Sequence, residues 1–292
     1  MKITAKMVSE LRTKTGAGMM DCKKALVEAD GDMEKAVDIL REKGLSQAAK
    51  KASRVAAEGA VVSAISEDGK TGTVVEVNCE TDFVGSNDAF QALAGSIAKQ
   101  VLAINPKDVD ELLASEMDGK TVKDTVTEAV AKIGENISVR RFVRYESQDG
   151  QVYSYIHGGG KIGVLVELVG GDAELGKDIA MQVAAANPSY LDRSEVPQAE
   201  LEHEKEVLAV EARNEGKPEQ IIEKMVMGRI NKYYKEVCLV DQEFIKDGDL
   251  TIAKLLKSKD AKVVRFTRYQ LGEGIEKKQD DLAAEVAKQL NQ

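Results

Sequence analysis

The sequence predicts an α+β protein whose core unit occurs twice. Stretches in which apolar and polar residues alternate with a period of two, typical of β-strands, are separated by stretches with helical periodicity. A hairpin pattern recurs 91 positions further along the chain, so that Glu76 is matched by Glu167, and a strand pattern recurs at an offset of 124, so that Arg141 is matched by Arg265. The difference between the two offsets predicts an insertion of about 33 residues in the second copy.

Composition restricts the class of protein. A chain of 292 residues can bury several small cores, so two or three modules are expected. Its 41 basic and 50 acidic residues, for a net charge of -9, argue against nucleic acid or an anionic membrane as the main partner. The sequence shows neither a charged-then-apolar N-terminal signal nor a long uncharged apolar run, and we expect a cytoplasmic protein.

The three cysteines are widely spaced and form no C-x-x-C pair, which argues against a disulfide framework or a zinc site. We expect them to be reduced and mostly buried as small apolar side chains. They are Cys22, Cys79 and Cys238.

Residues 1–55 are predicted to form an N-terminal three-helix bundle followed by a linker. Thr15–Gly18 separates the first helix from the second, and Asp30–Asp32 ends the second helix and caps the third. Gly44 is predicted to end the third helix. The basic stretch 48–54 is then a polar helical linker, and a nucleic-acid patch is a weaker alternative because the net charge is negative.

Residues 56–146 hold the first copy of the α/β core, which is predicted to contain an antiparallel hairpin and a third strand. The predicted elements are strands over 61–65 and 72–79 around a turn at 67–70, a helix over 88–103, a shorter helix that ends near Gly134, and a strand over 137–145.

The second copy occupies residues 147–196 and 236–269. Its hairpin matches Val61, Ser63, Ile65, Lys70, Gly72 and Glu76 with Val152, Ser154, Ile156, Lys161, Gly163 and Glu167. Its last strand matches Arg141, Phe142, Arg144 and Tyr145 with Arg265, Phe266, Arg268 and Tyr269.

Residues 197–235 are predicted to form a protruding antiparallel helical hairpin inserted in the second copy. Its apolar positions are interpreted first as the seam between the two helices, and second as a surface for another protein. They are Leu201, Leu208 and Ala212 before a turn at 214–218, and Ile222, Met225, Val226 and Tyr233 after it. Residues 270–292 are predicted to form a C-terminal module, with a short amphipathic helix carrying Leu282, Val286 and Leu290 that could dock on the parent chain or on a partner.

Phe83 lies at a strand-to-helix corner, where a large aromatic side chain either fills the core or points outward. At the offset of 91, Asp82, Phe83 and Val84 correspond to Ala173, Glu174 and Leu175, so the same unit closes without an aromatic residue. We therefore predict that Phe83 is exposed and faces a partner, since an exposed aromatic on a rigid corner is typical of an interface anchor.

The two histidines give little support to an enzyme. His203 lies among glutamates on the inserted hairpin and is expected to be solvated. His157 precedes Gly158–Gly160, but the spacing of a P-loop is absent and a hairpin turn is the better interpretation. No nucleophile elbow, kinase motif or dinucleotide fingerprint is found, and we expect neither catalysis nor a cofactor or metal.

Several motifs in the same order along the chain resemble the bacterial elongation factor Ts family. They are Thr13–Leu26, Val77–Val84 with its Thr-Asp-Phe-Val end, Ala131–Asn136, the His157 turn running into Ile162–Leu165, and Gly272–Glu276. The resemblance covers essentially the whole chain, with a longer glycine turn after His157 than some relatives have. It implies a ubiquitin-associated-like N-terminal bundle, a two-fold core, a helical hairpin and a C-terminal module.

The resemblance also implies a guanine-nucleotide exchange factor for elongation factor Tu in translation elongation. In the family, the Asp-Phe pair contacts the GTPase domain, and the aromatic ring wedges between helices that support the nucleotide and magnesium site. The partner is expected in its GDP-bound or nucleotide-free form, without nucleic acid, membrane or cofactor. The implied contact residues are Thr81, Asp82, Phe83, Val84, Met19, Met20, Ile133, Gly134 and His157.

The sequence also allows two other functional hypotheses. The first is a non-catalytic helical adaptor or dimerising interaction protein, whose inserted hairpin mediates self-association. The second, ranked last, is a small-molecule enzyme that uses His157.

Overall fold

The computed structural model describes residues 3–276, in which helices and several small antiparallel sheets form a mixed α+β fold. The chain divides into two compact units. Of the described residues, the first unit takes 3–62, Val75–Phe142 and 270–276, and the second takes Ser63–Val74 and Val143–Tyr269. Four of the described strands therefore begin in one unit and end in the other.

The N-terminal part of the first unit consists of α1 (Ala5–Thr15), α2 (Met19–Glu28) and α3 (Met33–Lys51). Gly16 ends α1 in the left-handed conformation (φ 68°), and the Asp32 side chain caps α3 by accepting the amides of Glu34 and Lys35. Both helix boundaries agree with the prediction. The three helices enclose a small core of Val8, Leu11, Cys22, Ala25, Leu26, Ala29 and Ala36.

The prediction that Gly44 ends the third helix is wrong, because α3 continues to Lys51 and absorbs part of the predicted linker. Gly44 is buried where α3 packs against α7 (Val122–Ile133). A Cβ atom at this position would lie 3.1 Å from the Cβ of Ala131. The glycine therefore allows two helices to approach closely rather than stopping one of them.

The elements around the first sheet are β1 (Glu58–Ile65), β2 (Thr71–Cys79), α4 (Asp82–Gly85), α5 (Asp88–Ile104), α6 (Val109–Ala114), β3 (Glu116–Met117), β4 (Lys120–Thr121), α7 and β5 (Ser138–Glu146). The sheet has the strand order β1-β2-β5. Strand β2 is buried on both faces over most of its length, since Glu76 and Asn78 are as inaccessible as its valines. The helices pack their apolar faces inward, with Phe90, Ile97 and Val101 buried in α5.

The elements around the second sheet are β6 (Gln151–His157), β7 (Ile162–Val169), α8 (Ala173–Ala186), β8 (Glu243–Phe244), β9 (Asp247–Thr251), α11 (Ile252–Ser258) and β10 (Lys262–Gln270). The sheet has the corresponding strand order β10-β7-β6. Strands β6 and β7 pair antiparallel from Gln151 opposite Leu168 to His157 opposite Ile162. Helix α8 packs on this pair and buries Ile179 and Val183.

Two long helices, α9 (Gln198–Asn214) and α10 (Glu219–Val237), lie between α8 and β8 in the second unit. They pack against each other and bury Ala212, Ile222 and Ile230. Glu200, near the start of α9, accepts hydrogen bonds from Tyr190 (2.5 Å) and from Tyr233, near the end of α10. This contact shows that the two helices run antiparallel, as predicted.

The predicted helix with Leu282, Val286 and Leu290 lies outside the described residues. Within residues 3–276, no helix is both long enough and apolar enough to cross a membrane. Cys22, Cys79 and Cys238 are buried and free, as predicted. Burial raises the pKa of Cys79 to about 12 and that of Cys238 to about 11.

Candidate functional site

The corner that carries Phe83 is built by tight local packing. Strand β2 ends at Cys79, and the Thr81 hydroxyl caps α4 by accepting the Val84 amide at 3.3 Å. Gly85 is buried against β1, where a Cβ atom would lie 2.8 Å from the carbonyl oxygen of Gly59. Only a glycine fits at this approach.

Phe83 points outward, as predicted, with 86% of its surface exposed. It is the most exposed of the large apolar side chains among the described residues. Asp82 beside it is also exposed, and Val84 is half-buried. The corner thus presents an aromatic ring and a carboxylate to solvent on a single turn of helix.

Glu135 binds the backbone of the corner. Its carboxylate accepts hydrogen bonds from the amides of Glu80 (3.1 Å) and Thr81 (3.0 Å), and from the Thr81 hydroxyl (2.7 Å). Two successive amides aimed at one carboxylate form a small anion-binding nest. The same Thr81 hydroxyl that caps α4 is therefore held by Glu135.

In a second set of contacts, the corner supplies the acceptor and the segment after α7 supplies the donor. Glu80 accepts the amide of Asn136 at 2.6 Å and faces the Arg54 guanidinium at 3.4 Å. Lys51, at the end of α3, donates to the carbonyl of Gly134, which ends α7 in the left-handed conformation (φ 91°). The segment 133–136 and the corner 80–84 are thereby joined in both directions, and we call this set of contacts the corner clamp.

The other predicted contact residues in the first unit lie on a separate element. Met19 and Met20 occupy the first turn of α2 and are 58% and 61% exposed. Methionine side chains exposed to this extent are typical of adaptable binding surfaces. The clamp thus unites Thr81–Val84 with Ile133 and Gly134, whereas the two methionines belong to the helical bundle.

His157 belongs to the second unit and ends strand β6. It is exposed, stacks on Tyr155 with 6.1 Å between ring centroids, and has its Nδ1 3.4 Å from the Tyr155 hydroxyl. Gly158, Gly159 and Gly160 follow with φ of 61°, 66° and 97°, and the Lys161 amide donates back to the His157 carbonyl at 3.1 Å. This is a hairpin turn, as predicted.

A buried charge cluster lies at the middle of β2 in the first unit. Glu76 is inaccessible to solvent and accepts hydrogen bonds from Arg140 (3.0 Å), Arg141 (2.6 Å) and the Gly272 amide (2.8 Å). Burial opposes ionisation of this carboxyl, but the bonds from Gly272, Arg141 and Arg140 outweigh it and hold its pKa below the usual value. Arg141 also reaches Glu273 at 3.2 Å, so the cluster fixes the turn after β10.

Sequence reasoning missed Glu135 and Glu80 as members of the site. The signal was indirect, because Glu135 lies in the motif Ala131–Asn136 and Glu80 in the motif Val77–Val84, and other residues of these motifs were selected. Among residues 3–276, no group of three or more His, Cys, Asp or Glu side chains is arranged to hold a metal ion.

Comparison with known proteins decides the family. A family model described as Elongation factor TS matches residues 80–273, from the corner to the turn after β10. The chain belongs to the elongation factor Ts family. Curated proteins named elongation factor Ts from Clostridium perfringens strains are 58% identical to it over 98% of both chains. An elongation factor Ts from Clostridium botulinum is 56% identical over 99% of both chains.

The match to elongation factor Ts includes most of the site described above. The corner residues, the clamp residues Glu80 and Glu135, and His157 all fall within 80–273. Met19 and Met20 precede that range, but the elongation factor Ts relatives align over nearly the whole chain.

Proposed function

We propose that this chain is the guanine-nucleotide exchange factor of elongation factor Tu in translation elongation, and that Phe83 is its principal anchor. The protein is a non-catalytic exchange factor that binds elongation factor Tu, and it works in the bacterial cytoplasm, where translation takes place. The observation that supports Phe83 is its 86% exposure on a corner that the second copy closes without an aromatic residue.

Exchange requires that the factor and the nucleotide weaken each other's binding by the same free energy. A thousandfold loosening of GDP needs about 4 kcal/mol of differential contact. Burying one phenylalanine ring supplies about 1.5–3 kcal/mol. Phe83 alone does not suffice, so further contacts on other modules must take part in opening the Mg²⁺ and GDP site.

We assign those further contacts to Met19 and Met20 on the bundle, to Ile133 and Gly134 behind the corner, and to His157 in the second unit. All five are accessible or partly accessible. The methionines and the histidine have side chains that can adapt to a partner surface, whereas Gly134 offers a closely approachable backbone.

The domain boundaries that we propose are those predicted from the sequence. It comprises a ubiquitin-associated-like bundle and linker (1–55), a first core copy (56–146), a second core copy (147–196 and 236–269), a protruding helical hairpin (197–235) and a C-terminal module (270–292). The similar strand orders of the two three-stranded sheets support a duplicated core.

The test is the release rate of a fluorescent GDP from elongation factor Tu with wild-type protein and with Phe83→Ala. We expect wild-type protein to accelerate release and Phe83→Ala to be roughly 10- to 100-fold less effective, since it loses about 1.5–3 kcal/mol of burial. The variant should keep the wild-type urea midpoint because the ring contributes no core packing. If Phe83→Ala unfolded, or released GDP as fast as the wild type, the anchor assignment would be wrong.

Competition by GDP separates exchange from passive binding. An exchange factor must lose affinity for its partner when excess GDP is added, whereas a helical adaptor need not. Titration calorimetry with and without GDP measures this, and an affinity unchanged by GDP would favour the adaptor.

A further inference from the structure

The orientation of Phe83 needs an external support. Helix α4 has four residues, and a single helical turn is not stable in isolation. The ring itself is 86% exposed and packs against little that could fix it. Its direction therefore depends on what holds the backbone on either side of it.

The Glu135 carboxylate provides this support on the N-terminal side of α4. It binds two consecutive amides, those of Glu80 and Thr81, and also the Thr81 hydroxyl at 2.7 Å. That hydroxyl in turn accepts the Val84 amide and so caps the helical turn. A continuous chain of hydrogen bonds thus leads from Glu135 to the residue that follows Phe83.

The second core copy supplies an internal comparison. Asp172, 91 positions after Thr81, caps α8 through the Leu175 amide at 2.8 Å. Lys259, 124 positions after Glu135, donates to Asp172 at 3.2 Å. The matching positions are in contact again, but a lysine replaces the carboxylate, and exposed Glu174 stands where the first copy has Phe83.

We propose that Glu135 is a positioning residue for Phe83, which fixes the direction of the ring before the partner arrives. The inference rests on the proposed function, because Phe83 must be the anchor. Preorganisation of an anchor removes the cost of ordering it on binding. Glu135 therefore acts through Phe83 and need not touch the partner.

The first experiment measures the mobility of the corner without any partner. The chain contains no tryptophan, so Phe83→Trp introduces a single indole at the corner. We expect time-resolved anisotropy to show a larger nanosecond component when Glu135→Ala is added. Glu111→Ala is the matched control, since Glu111 also accepts a backbone amide, that of Lys107 at 2.9 Å, in the loop before α6. Equal anisotropy with and without Glu135→Ala would overturn the proposal.

The second experiment is a double-mutant cycle on GDP release from elongation factor Tu. We expect Glu135→Ala to reduce the stimulation about tenfold in the wild-type background, but less than about twofold when Phe83→Ala is already present. Equal reductions in both backgrounds would overturn the proposal, since Glu135 would then act independently of Phe83. Absence of stimulation by wild-type protein would instead overturn the proposed function, and the anisotropy result would stand by itself.

Thr81→Val covers the case in which Glu135→Ala does not fold. This variant removes the hydroxyl between Glu135 and the Val84 amide but leaves Glu135 bound to the two backbone amides. We expect the same mobility and the same non-additivity with Phe83→Ala. A folded Thr81→Val protein with wild-type anisotropy and exchange would contradict the proposed route from Glu135 to the ring.

Discussion

At the scale of single residues, Glu76 holds a negative charge without access to solvent because two arginines and a backbone amide surround it. Glu167 occupies the matching position in the second copy and pairs with Arg265 through the same atoms, Nε and Oε2, at 2.7 Å. The corresponding distance from Arg141 to Glu76 is 2.6 Å. The same glutamate–arginine ion pair therefore occurs at both matching positions of the repeat, and Glu76 has additional partners.

We expect Glu76→Gln to destabilise the protein by about 3 kcal/mol, because removing one partner of a buried pair leaves charge uncompensated. Glu167→Gln is the matched control and should cost about 1 kcal/mol, since Arg265 is 46% exposed and offers a single contact. Urea denaturation measures both. Similar losses for the two variants would show that the additional partners of Glu76 contribute nothing.

The Glu76 contribution should also depend on pH. Its folded-state pKa lies below the unfolded value near 4.5, so the stabilisation is complete above about pH 4.5. It should be lost as the pH falls through the folded-state pKa. The difference in unfolding free energy between wild-type protein and Glu76→Gln should therefore shrink as the pH falls below about 4.5, and a constant difference between pH 7 and pH 3 in urea denaturation would contradict this assignment.

At the scale of elements, Gly44 shows how closely α3 and α7 approach. Gly44→Val should destabilise the protein by about 1–3 kcal/mol, because a branched side chain forces the helices apart at Ala131. Gly44→Ala should lie within about 1 kcal/mol of wild type, since the gain in helix propensity opposes a 3.1 Å contact. Thermal unfolding of the two variants tests this, and a neutral Gly44→Val would show that the two helices do not pack as described.

The elements also show what the sequence can and cannot reveal. The hairpins, the long helices and the cap at Asp32 were predictable because period, turn residues and repeats are local signals. The small hairpins β3–β4 and β8–β9 were missed, because three of their four strands have only two residues and therefore no measurable period. Gly44 was misread because a glycine at a close helix contact has the same local pattern as one that ends a helix.

The site was predictable to a similar extent. The outward direction of Phe83 could be inferred because the second copy provided a comparison within one sequence. The role of Glu135 could not, because its bonds join residues 54 and 55 positions apart and depend on tertiary packing. No rule based on sequence spacing predicts a contact between the end of α7 and the end of β2.

At the scale of the whole molecule, the second unit is assembled from two separated stretches of chain. Hydrogen bonds join the short stretch to the long one. The Thr73 hydroxyl donates to the Val143 carbonyl (2.7 Å), and Lys70 Nζ donates to the Gly150 carbonyl (2.7 Å). Ser63 and Ser154, which match at the offset of 91, are also hydrogen bonded at 3.1 Å.

We therefore expect a fragment of residues 143–269 to fail to fold cooperatively when expressed alone, since it lacks Ser63–Val74. Circular dichroism during urea titration should show no sigmoidal transition. The full chain is the control and should show one. A cooperative transition in the isolated fragment would mean that the short stretch is dispensable for that unit.

The capped turn at Asp172–Leu175 includes an exposed position at which a new chemical group could be attached. Glu174 is exposed there, at the position that corresponds to Phe83, and neither the cap nor the core depends on its side chain. A protein engineer could introduce an aromatic residue, a metal chelator or a chemical label at position 174 without removing a contact of the cap or of the core. The two matching positions of the sequence repeat, 83 and 174, thus both carry exposed side chains, and position 174 could be given a binding specificity of its own.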